Sequence, residues 1–512
     1  MKLPTFLISI ILVLLGIANT FAYAPYTLTF LPLFTLPALA WAIWQAKTAR
    51  LALWYGWCYG IGWFGLGISW VHVSIDTFGG MPLVFSLGLM ALLVAYLALF
   101  PALASWLVAK FGKFSPLVFP PAFLLAWGIS ENLRSWVFTG FPWLSLGYSQ
   151  TTGYLAPWAP FIGEIGITLL IAYFAAALVM AWQKHYIHAV LATALVLISP
   201  LLEPFKGWEH SGELQKVVLV QGNIKQELRW DIAQELPTMK KYMTLTRPHL
   251  GDSLIIWPEA AIPQLEHQAQ PFLINLDMLA AEHNSAVVTG ILDLRYNVGD
   301  YNGMIVVGQD RKESVSGSYD YFKQNRYRKH HLLPIGEFVP LEQLLRDVAP
   351  FFDLPNSSFS RGDWLQNNLQ AKGLNLLPAL CFEIAFPRQI QANFSDDTHL
   401  LLTVSNDAWF GDSIGPWQHL QIAQMRALEF GRPLLRATNT GVTAIANPDG
   451  TIAAQLPQFE DGVLTQQVEL VKGYTPYSQH GDGPVYVLGL ILMVWLTLVW
   501  WRQRRPSALP LP

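Results

Sequence analysis

The chain has 512 residues, of which 53% are hydrophobic and only 13% charged, where an ordinary soluble domain carries about 25% charged residues. A net formal charge of −3 offers no basic surface for nucleic acid, and two cysteines exclude a disulfide framework. The charge deficit, together with 21 Trp and 29 Phe, marks a membrane protein.

Apolar runs of the length that crosses a bilayer, about 20 residues, occupy 4–22, 28–46, 51–72, 83–109, 115–132, 161–183 and 186–203, and one more closes the chain at 485–501. The fifth run is interrupted by the three prolines of "SPLVFPPAF". The first also has the positive start, apolar middle and A-x-A-like end of a signal peptide. Because further runs follow it directly, a retained helix is the expectation. Lys2, Lys47, Arg50, Lys110, Lys113, Lys184, Arg502, Arg504 and Arg505 fall on alternate sides of these runs, while "AYAPYT" and "SIDTFGGMP" carry no Lys or Arg. The positive-inside rule then puts both termini in the cytoplasm and the long stretch after the seventh run outside it. The expected organisation is a membrane domain of seven spans over 1–205, an exported domain over 213–472 and an eighth span over 484–502. In a bacterium, the exported domain faces the periplasm.

Within that domain, seven runs rich in branched apolar residues read as buried strands: 216–223, 253–259, 286–291, 304–308, 376–383, 400–410 and 442–450. Helical patterns precede two of them, and another, at 419–435, follows a third. Strands alternating with helices predict an α/β domain with central sheets. Chemistry in such domains sits at strand ends.

Three residues stand at such ends or beside them. Glu259 closes "LIIWPE", Lys329 lies in "NRYRKHHLLPIGEF" with Glu337 eight residues on, and Cys381 follows "LLPAL". Each has a plainer reading. A free cysteine is most often a small buried hydrophobe, and Lys329 sits among Arg326, Arg328, His330 and His331, a cluster that also fits a solvated or lipid-facing surface. Cys58 lies in the third apolar run, so Cys381 has no partner within reach and is a free thiol in an oxidising compartment. A thiol attacks as its thiolate, a buried carboxylate can take its proton, and a lysine can stabilise the resulting negative charge. A Cys–His pair using His330, His331 or His419 is equally open at this level.

The stretches "WVHVSIDTFGGMP" (70–82), "TGFPWLSLGYSQ" (139–150), "LIIWPEAAIP" (254–263), "HLLPIGEFVPLE" (331–342), "APFFDLPNSSFSRG" (349–362), "SNDAWFGDSIGPWQH" (405–419) and "MRALEFGRPLLRATNTG" (425–441) together carry a resemblance. Over nearly its whole length the chain resembles the apolipoprotein N-acyltransferase family of Gram-negative bacteria. Its exported part is similar to the carbon–nitrogen hydrolase (nitrilase) superfamily. The resemblance implies eight spans plus an α-β-β-α sandwich, with Glu259 as general base, Lys329 as the cation and Cys381 as the nucleophile. It also implies that Glu337 orients the lysine, that Glu383 supports the nucleophile, and that the Phe382 N–H shares the oxyanion with Lys329. Phe382 stands where the family commonly has Tyr, so any role of that hydroxyl is lost here. Trp230 and Trp143 match positions tied to substrate, with structural anchoring as the other reading for both.

The implied reaction moves the sn-1 acyl chain of a phospholipid, phosphatidylethanolamine being typical, through a Cys381 thioester. The acceptor is the α-amine of a diacylglyceryl-cysteine at the N-terminus of an apolipoprotein, in the bacterial inner membrane. No metal or cofactor is implied, no nucleic acid, and a monomer suffices. The apolar stretch 338–360, with Phe351 and Phe352, is expected either to dip into the bilayer and gate lipid access or to pack as ordinary helix and loop. Rival readings are a membrane-tethered amidase whose acyl-enzyme is taken by water, a transporter with a receptor domain, and a scaffold with an inert cysteine. Glu131 and Glu164 are the main charges within the apolar runs, which weighs against an ion pathway.

Overall fold

A computed structural model describes the chain except residues 1–2, 230, 296–298, 313, 315, 323–324, 335, 339–358 and 505–512. It divides into two compact units, Met1–Lys206 with His480–Pro512, and Gly207–Gln479.

The first unit is helical. Each predicted apolar run holds a helix: Thr5–Thr20, Pro32–Gln45, Ala49–Gly67, Leu83–Phe111, Phe119–Arg134, Ala159–Trp182, Ile187–Leu197 and Gly483–Arg504. By length and composition, Leu83–Phe111, Ala156–Trp182 and Gly483–Gln503 can cross a membrane, and a fourth span forms if the bent pair Ile187–Leu197 and Ser199–Phe205 counts as one. Thr5–Thr20 and Ala49–Gly67 cross with their backbones nearly touching. A Cβ at Gly16 would lie 2.1 Å from Tyr59 O, and one at Gly62 would lie 2.0 Å from Val13 O. Where surrounding lipid is as apolar as the side chains, such close backbone packing is what holds helices together. Glu131 is buried in an ion pair with Arg134, whose Nη1 also donates to Phe141 O and Trp143 O, each at 2.6 Å.

The second unit is built on two six-stranded sheets. The strands, in chain order, are β1 (Trp208–Gln221), β2 (Leu254–Ile256), β3 (Ala286–Arg295), β4 (Gly299–Gly308), β5 (Arg326–Arg328), β6 (Leu369–Ala371), β7 (Leu374–Leu380), β8 (Thr398–Ser405), β9 (Leu434–Thr438), β10 (Ala444–Ala446), β11 (Ile452–Gln455) and β12 (Gly462–Gly473). One sheet runs β12-β1-β2-β3-β4-β5 and the other β11-β10-β9-β8-β7-β6. At the centre of each, three strands are parallel, β1-β2-β3 and β7-β8-β9. Parallel strands covered on both faces read as continuous apolar runs, which is why "VVLV", "LII" and "LLPAL" lie here. Alternation splits each strand between two cores. Val217 and Leu219 join Leu254, Ile256, Leu376, Leu400, Leu402 and Leu435 in the core between the sheets. Val218 and Val220 turn outward to Met239, Tyr242, Leu273 and Leu276 of the helices Ile232–Thr246 and Glu266–Glu282. Gly415–Phe430 covers the other sheet through Leu420 against Val442 and Ala444.

Three sequence expectations are corrected. The helix over 419–435 instead spans Gly415–Phe430, because Gly431 stops it in the left-handed conformation (φ 59°) and β9 begins three residues later. The strand over 376–383 ends at Leu380, and Cys381 opens a short helical turn, Cys381–Ala385. The strands β5, β6, β9, β11 and β12 escaped the reading because they are very short, more polar, or masked by an adjoining helical pattern.

Candidate active site

The site gathers at the carboxyl ends of central strands from both sheets and of the edge strand β5. Glu259 lies three residues beyond β2, and Cys381 follows β7 directly. Lys329 follows β5 and is fixed by its main chain, its N–H donating to Asn302 O (2.8 Å) and its carbonyl accepting from Gly362 N (2.9 Å). Behind Glu259 the chain leaves no room. A Cβ at Gly290 of β3 would sit 2.5 Å from Ala260 N and 2.7 Å from Glu259 Cα.

Lys329, Glu259 and Glu337 are all buried. Lys329 Nζ lies 2.7 Å from Glu337 Oε2. Asn302 Nδ2 donates both to Glu259 Oε1 (2.8 Å) and to Glu337 Oε1 (2.9 Å), so one amide bridges the two carboxylates. The main-chain N–H of Asn406 donates to Glu259 Oε2 at 2.9 Å. Glu337 Oε2 also accepts from Leu333 N at 2.8 Å. Burial works against the Lys329 charge, but Glu337 first, then Glu259, outweigh it and hold the ammonium above its ordinary range.

Cys381 has φ 54°, a left-handed conformation unusual for a non-glycine residue and a mark of functional turns. Burial first, then the negative charge of Glu259, push its thiol up to about 12, against the opposing pull of Lys329. At rest Cys381 is therefore a neutral thiol, unlike the ion-paired thiolates of Cys–His enzymes.

Glu383 locks this turn to the Lys329 segment. It is buried and accepts five hydrogen bonds: from Leu380 N (2.8 Å), His330 N (2.7 Å), His331 N (3.0 Å), Tyr327 Oη (2.9 Å) and Gln389 Nε2 (2.9 Å). The Phe382 ring is buried and meets Phe386 edge-on at 5.1 Å between centroids.

The histidines meet other partners. His330 Nδ1 lies 2.7 Å from Gly362 O, the His331 ring stacks on Phe386 at 3.5 Å, and His419 Nε2 is 3.1 Å from the Cys381 carbonyl oxygen. The arginines around Lys329 are not a solvated face: Arg326 pairs with Glu266 at 2.7 Å, and Arg328 lies 3.3 Å from Asp293 and over the Tyr301 ring. Trp143 belongs to the first unit, where its ring is buried against Phe141 and Trp70, the contacts of a structural anchor. Trp230, Phe351 and Phe352, with most of 338–360, lie outside the described residues. Among the described residues, no cluster of His, Cys, Asp and Glu could hold a metal ion.

Sequence reasoning missed Asn302, Ser405, Asn406, Asp407 and Arg436, all buried polar residues in or beside strands. Asn is depleted in strand interiors, so the Asn302 of "DYNGMIVV" was the available signal.

The carbon–nitrogen hydrolase family matches residues 216–474, and the apolipoprotein N-acyltransferase N-terminal domain matches 15–177. The chain is 45% identical over 494 residues to apolipoprotein N-acyltransferase of Shewanella oneidensis, covering 94% of both chains. It is 46% identical over 498 residues to that of Vibrio vulnificus, covering 96% of both. Among solved structures it is similar to Saccharomyces cerevisiae Nit3, of the nitrilase superfamily, at a TM-score of 0.37 and 15% identity over 50% of this chain and 90% of the other. At that identity and coverage by full-length relatives, the chain belongs to the apolipoprotein N-acyltransferase family.

Proposed function

We propose that this chain is a bacterial inner-membrane acyltransferase. In this reading it moves the sn-1 acyl chain of a phospholipid, with phosphatidylethanolamine as the donor, to the α-amine of a diacylglyceryl apolipoprotein. The observation that carries the mechanism is the buried set around Cys381: a neutral thiol, a charged Lys329, and Glu259 held by Asn302 and Asn406.

Glu259 takes the thiol proton as the sulfur attacks the ester carbonyl. Lys329 and the Phe382 N–H stabilise the tetrahedral oxyanion. The carbon–oxygen bond breaks, the proton on Glu259 passes to the departing lysophospholipid oxygen, and a thioester remains. The acceptor amine then attacks the thioester, gives its proton to Glu259, and the departing sulfur recovers one. No proton is gained or lost over the cycle. Glu337 keeps Lys329 charged and aimed, and Glu383 fixes the turn that presents the sulfur.

Both substrates are lipid-borne, which supports an eight-span anchor, a periplasmic catalytic unit and cytoplasmic termini. The apolar stretch 338–360, including Phe351 and Phe352, and Trp230 belong to this proposal as lipid-gating and substrate-contact elements, whereas Trp143, buried against Phe141 and Trp70, serves as an anchor.

The test is intact mass of the purified protein after incubation with phosphatidylethanolamine alone. The expected result is a gain of one acyl chain that neutral hydroxylamine removes and that Cys381→Ala lacks. An unchanged mass, with Cys381 still open to alkylation, overturns the phospholipid-donor reading.

A further inference from the structure

The chemistry above leaves a second buried cluster at Cys381 unused. Ser405, the last residue of β8, places its Oγ 3.2 Å from the Cys381 sulfur and 2.6 Å from Asp407 Oδ1. Asp407 Oδ2 accepts from Arg436 Nη2 at 2.6 Å. His419 Nδ1 lies 3.1 Å from that same Nη2 and 3.1 Å from Asp407 Oδ1, and His419 Nε2 is 3.1 Å from the Cys381 carbonyl oxygen. None of these four side chains is more than 1% exposed. The cluster closes a ring that begins at the nucleophile's sulfur and ends at its own carbonyl.

The protons of this ring can be assigned. A carbonyl only accepts, so His419 Nε2 carries a hydrogen and donates it to Cys381 O. Burial, then Arg436, hold the ring below its ordinary basicity, so Nδ1 is a lone pair that accepts from Arg436. The two hydrogens on Arg436 Nη2 are thereby committed, one to His419 and one to Asp407. Although burial favours the neutral acid, the Arg436 guanidinium holds the Asp407 carboxyl well below the usual range. It is thus a permanent anion and a poor proton acceptor, unsuited to replace Glu259. Ser405 has a single hydrogen. At rest that hydrogen goes to the carboxylate, the stronger and nearer acceptor. Once the sulfur carries negative charge, the sulfur competes for it, and a rotation about the Ser405 Cβ–Oγ bond redirects the hydrogen without any covalent change.

We propose that Ser405 is a further catalytic residue, whose hydroxyl donates to the Cys381 sulfur whenever that sulfur is anionic, both as it attacks and as it leaves the thioester. Asp407, His419 and Arg436 are positioning residues: they hold the hydroxyl in reserve and clamp the left-handed main chain of the nucleophile. The inference rests on the reading of Cys381 as the acyl carrier.

The test uses the full chain in detergent. It measures the pH profile of Cys381 alkylation by iodoacetamide and the rate of acyl-enzyme formation from phosphatidylethanolamine. The charges facing the thiol are Glu259, Lys329, Asp407 and Arg229, with Arg436 and the titratable His419 behind Asp407, and all remain in Ser405 variants. Ser405→Ala is expected to slow both reactions about tenfold, the worth of one hydrogen bond to a charged group, and to displace the alkylation profile to higher pH. Ser405→Thr, which keeps the hydroxyl, should recover most of the rate. Asp407→Asn frees the hydroxyl and removes a negative charge, so it should displace the profile to lower pH, and by less in a Ser405→Ala background. Thermal unfolding identifies any variant that fails to fold, and if Ser405→Ala is one, Ser405→Gly, which removes the same hydroxyl, takes its place both alone and in the Asp407→Asn background. Wild-type profiles in Ser405→Ala, or an Asp407→Asn displacement that Ser405→Ala leaves intact, overturn the proposal. A wild-type protein that forms no acyl-enzyme overturns the acyl-carrier reading instead.

Discussion

The two sheets contribute opposite kinds of polar groups to one sulfur. From the sheet containing β2, β4 and β5 come Glu259, Asn302 and Lys329, joined by Glu337 from the loop beyond, an arrangement that carries and exchanges charge. From the sheet containing β7, β8 and β9 come Cys381 itself, Ser405 and Arg436, with Asp407 just past β8, an arrangement whose charges are closed on one another. Both are buried, and both contain an ion pair. They differ in where the protons can go. Glu259 is held by one amide and one main-chain N–H, whereas Asp407 is committed to a guanidinium. Burial alone therefore does not distinguish a reacting carboxylate from a supporting one; the partners do.

The largest expected effect breaks the reacting side while moving the sulfur the other way. Glu259→Gln removes the proposed base, so acyl-enzyme formation should fall by about 10²–10⁴-fold. It also removes the anion that, after burial, most raises the thiol's pKa, so iodoacetamide labelling of Cys381 at pH 8–9 should become faster than in wild type. Slower labelling would mean that Glu259 does not face the sulfur as an anion. In wild type, labelling should rise about tenfold per pH unit through pH 7–10, because only the thiolate reacts and the thiol sits at about 12.

Next in size is Glu337→Gln. Lys329 then loses the partner that contributes most to holding its charge, and acyl transfer should drop by about 100-fold, the worth of a removed oxyanion donor or its support. The sign on pH follows. A lysine held above its ordinary range stays charged as pH rises, and without Glu337 it loses its proton at lower pH. The alkaline limb of the pH–rate profile should therefore move towards neutrality, a displacement that steady-state kinetics would resolve. The smallest effect belongs to Asn302→Leu. It unties Glu259 from Glu337 but removes neither, and about a tenfold loss of rate is expected, one charged hydrogen bond at each carboxylate being offset by their freedom to find other donors. A loss as large as that of Glu337→Gln would make the bridging amide part of the chemistry.

Much of this was legible in the sequence, for a physical reason. Glu259 and Cys381 sit where apolar strand patterns end, and such ends are visible in one dimension. Lys329 was visible as a candidate, but its role came only through the resemblance, because β5 is three residues long and its neighbours, Arg326 and Arg328, are polar. Those arginines read as a surface until their partners, Glu266 and Asp293, appeared in space. Asp407 and His419 lie in a stretch whose match to the family was evident, "SNDAWFGDSIGPWQH", yet nothing in one dimension tells that His419 turns to a carbonyl and not to the sulfur. Arg436 was hidden because the helical pattern over 419–435 ran into its strand, whereas the helix stops at Phe430.

The neutrality of the folded Cys381 thiol has a chemical corollary. Oxidants, like electrophilic substrates, act on the thiolate. A cysteine with its ordinary acidity of about 8.5 is several per cent ionised near pH 7.5, whereas one at about 12 is ionised more than three orders of magnitude less. Folding thus places the sulfur in a form that a peroxide or a stray disulfide meets only rarely. The same burial that raises the thiol gives it durability, and in the proposed reaction its shelter is withdrawn only for a substrate that brings its own carbonyl to the site.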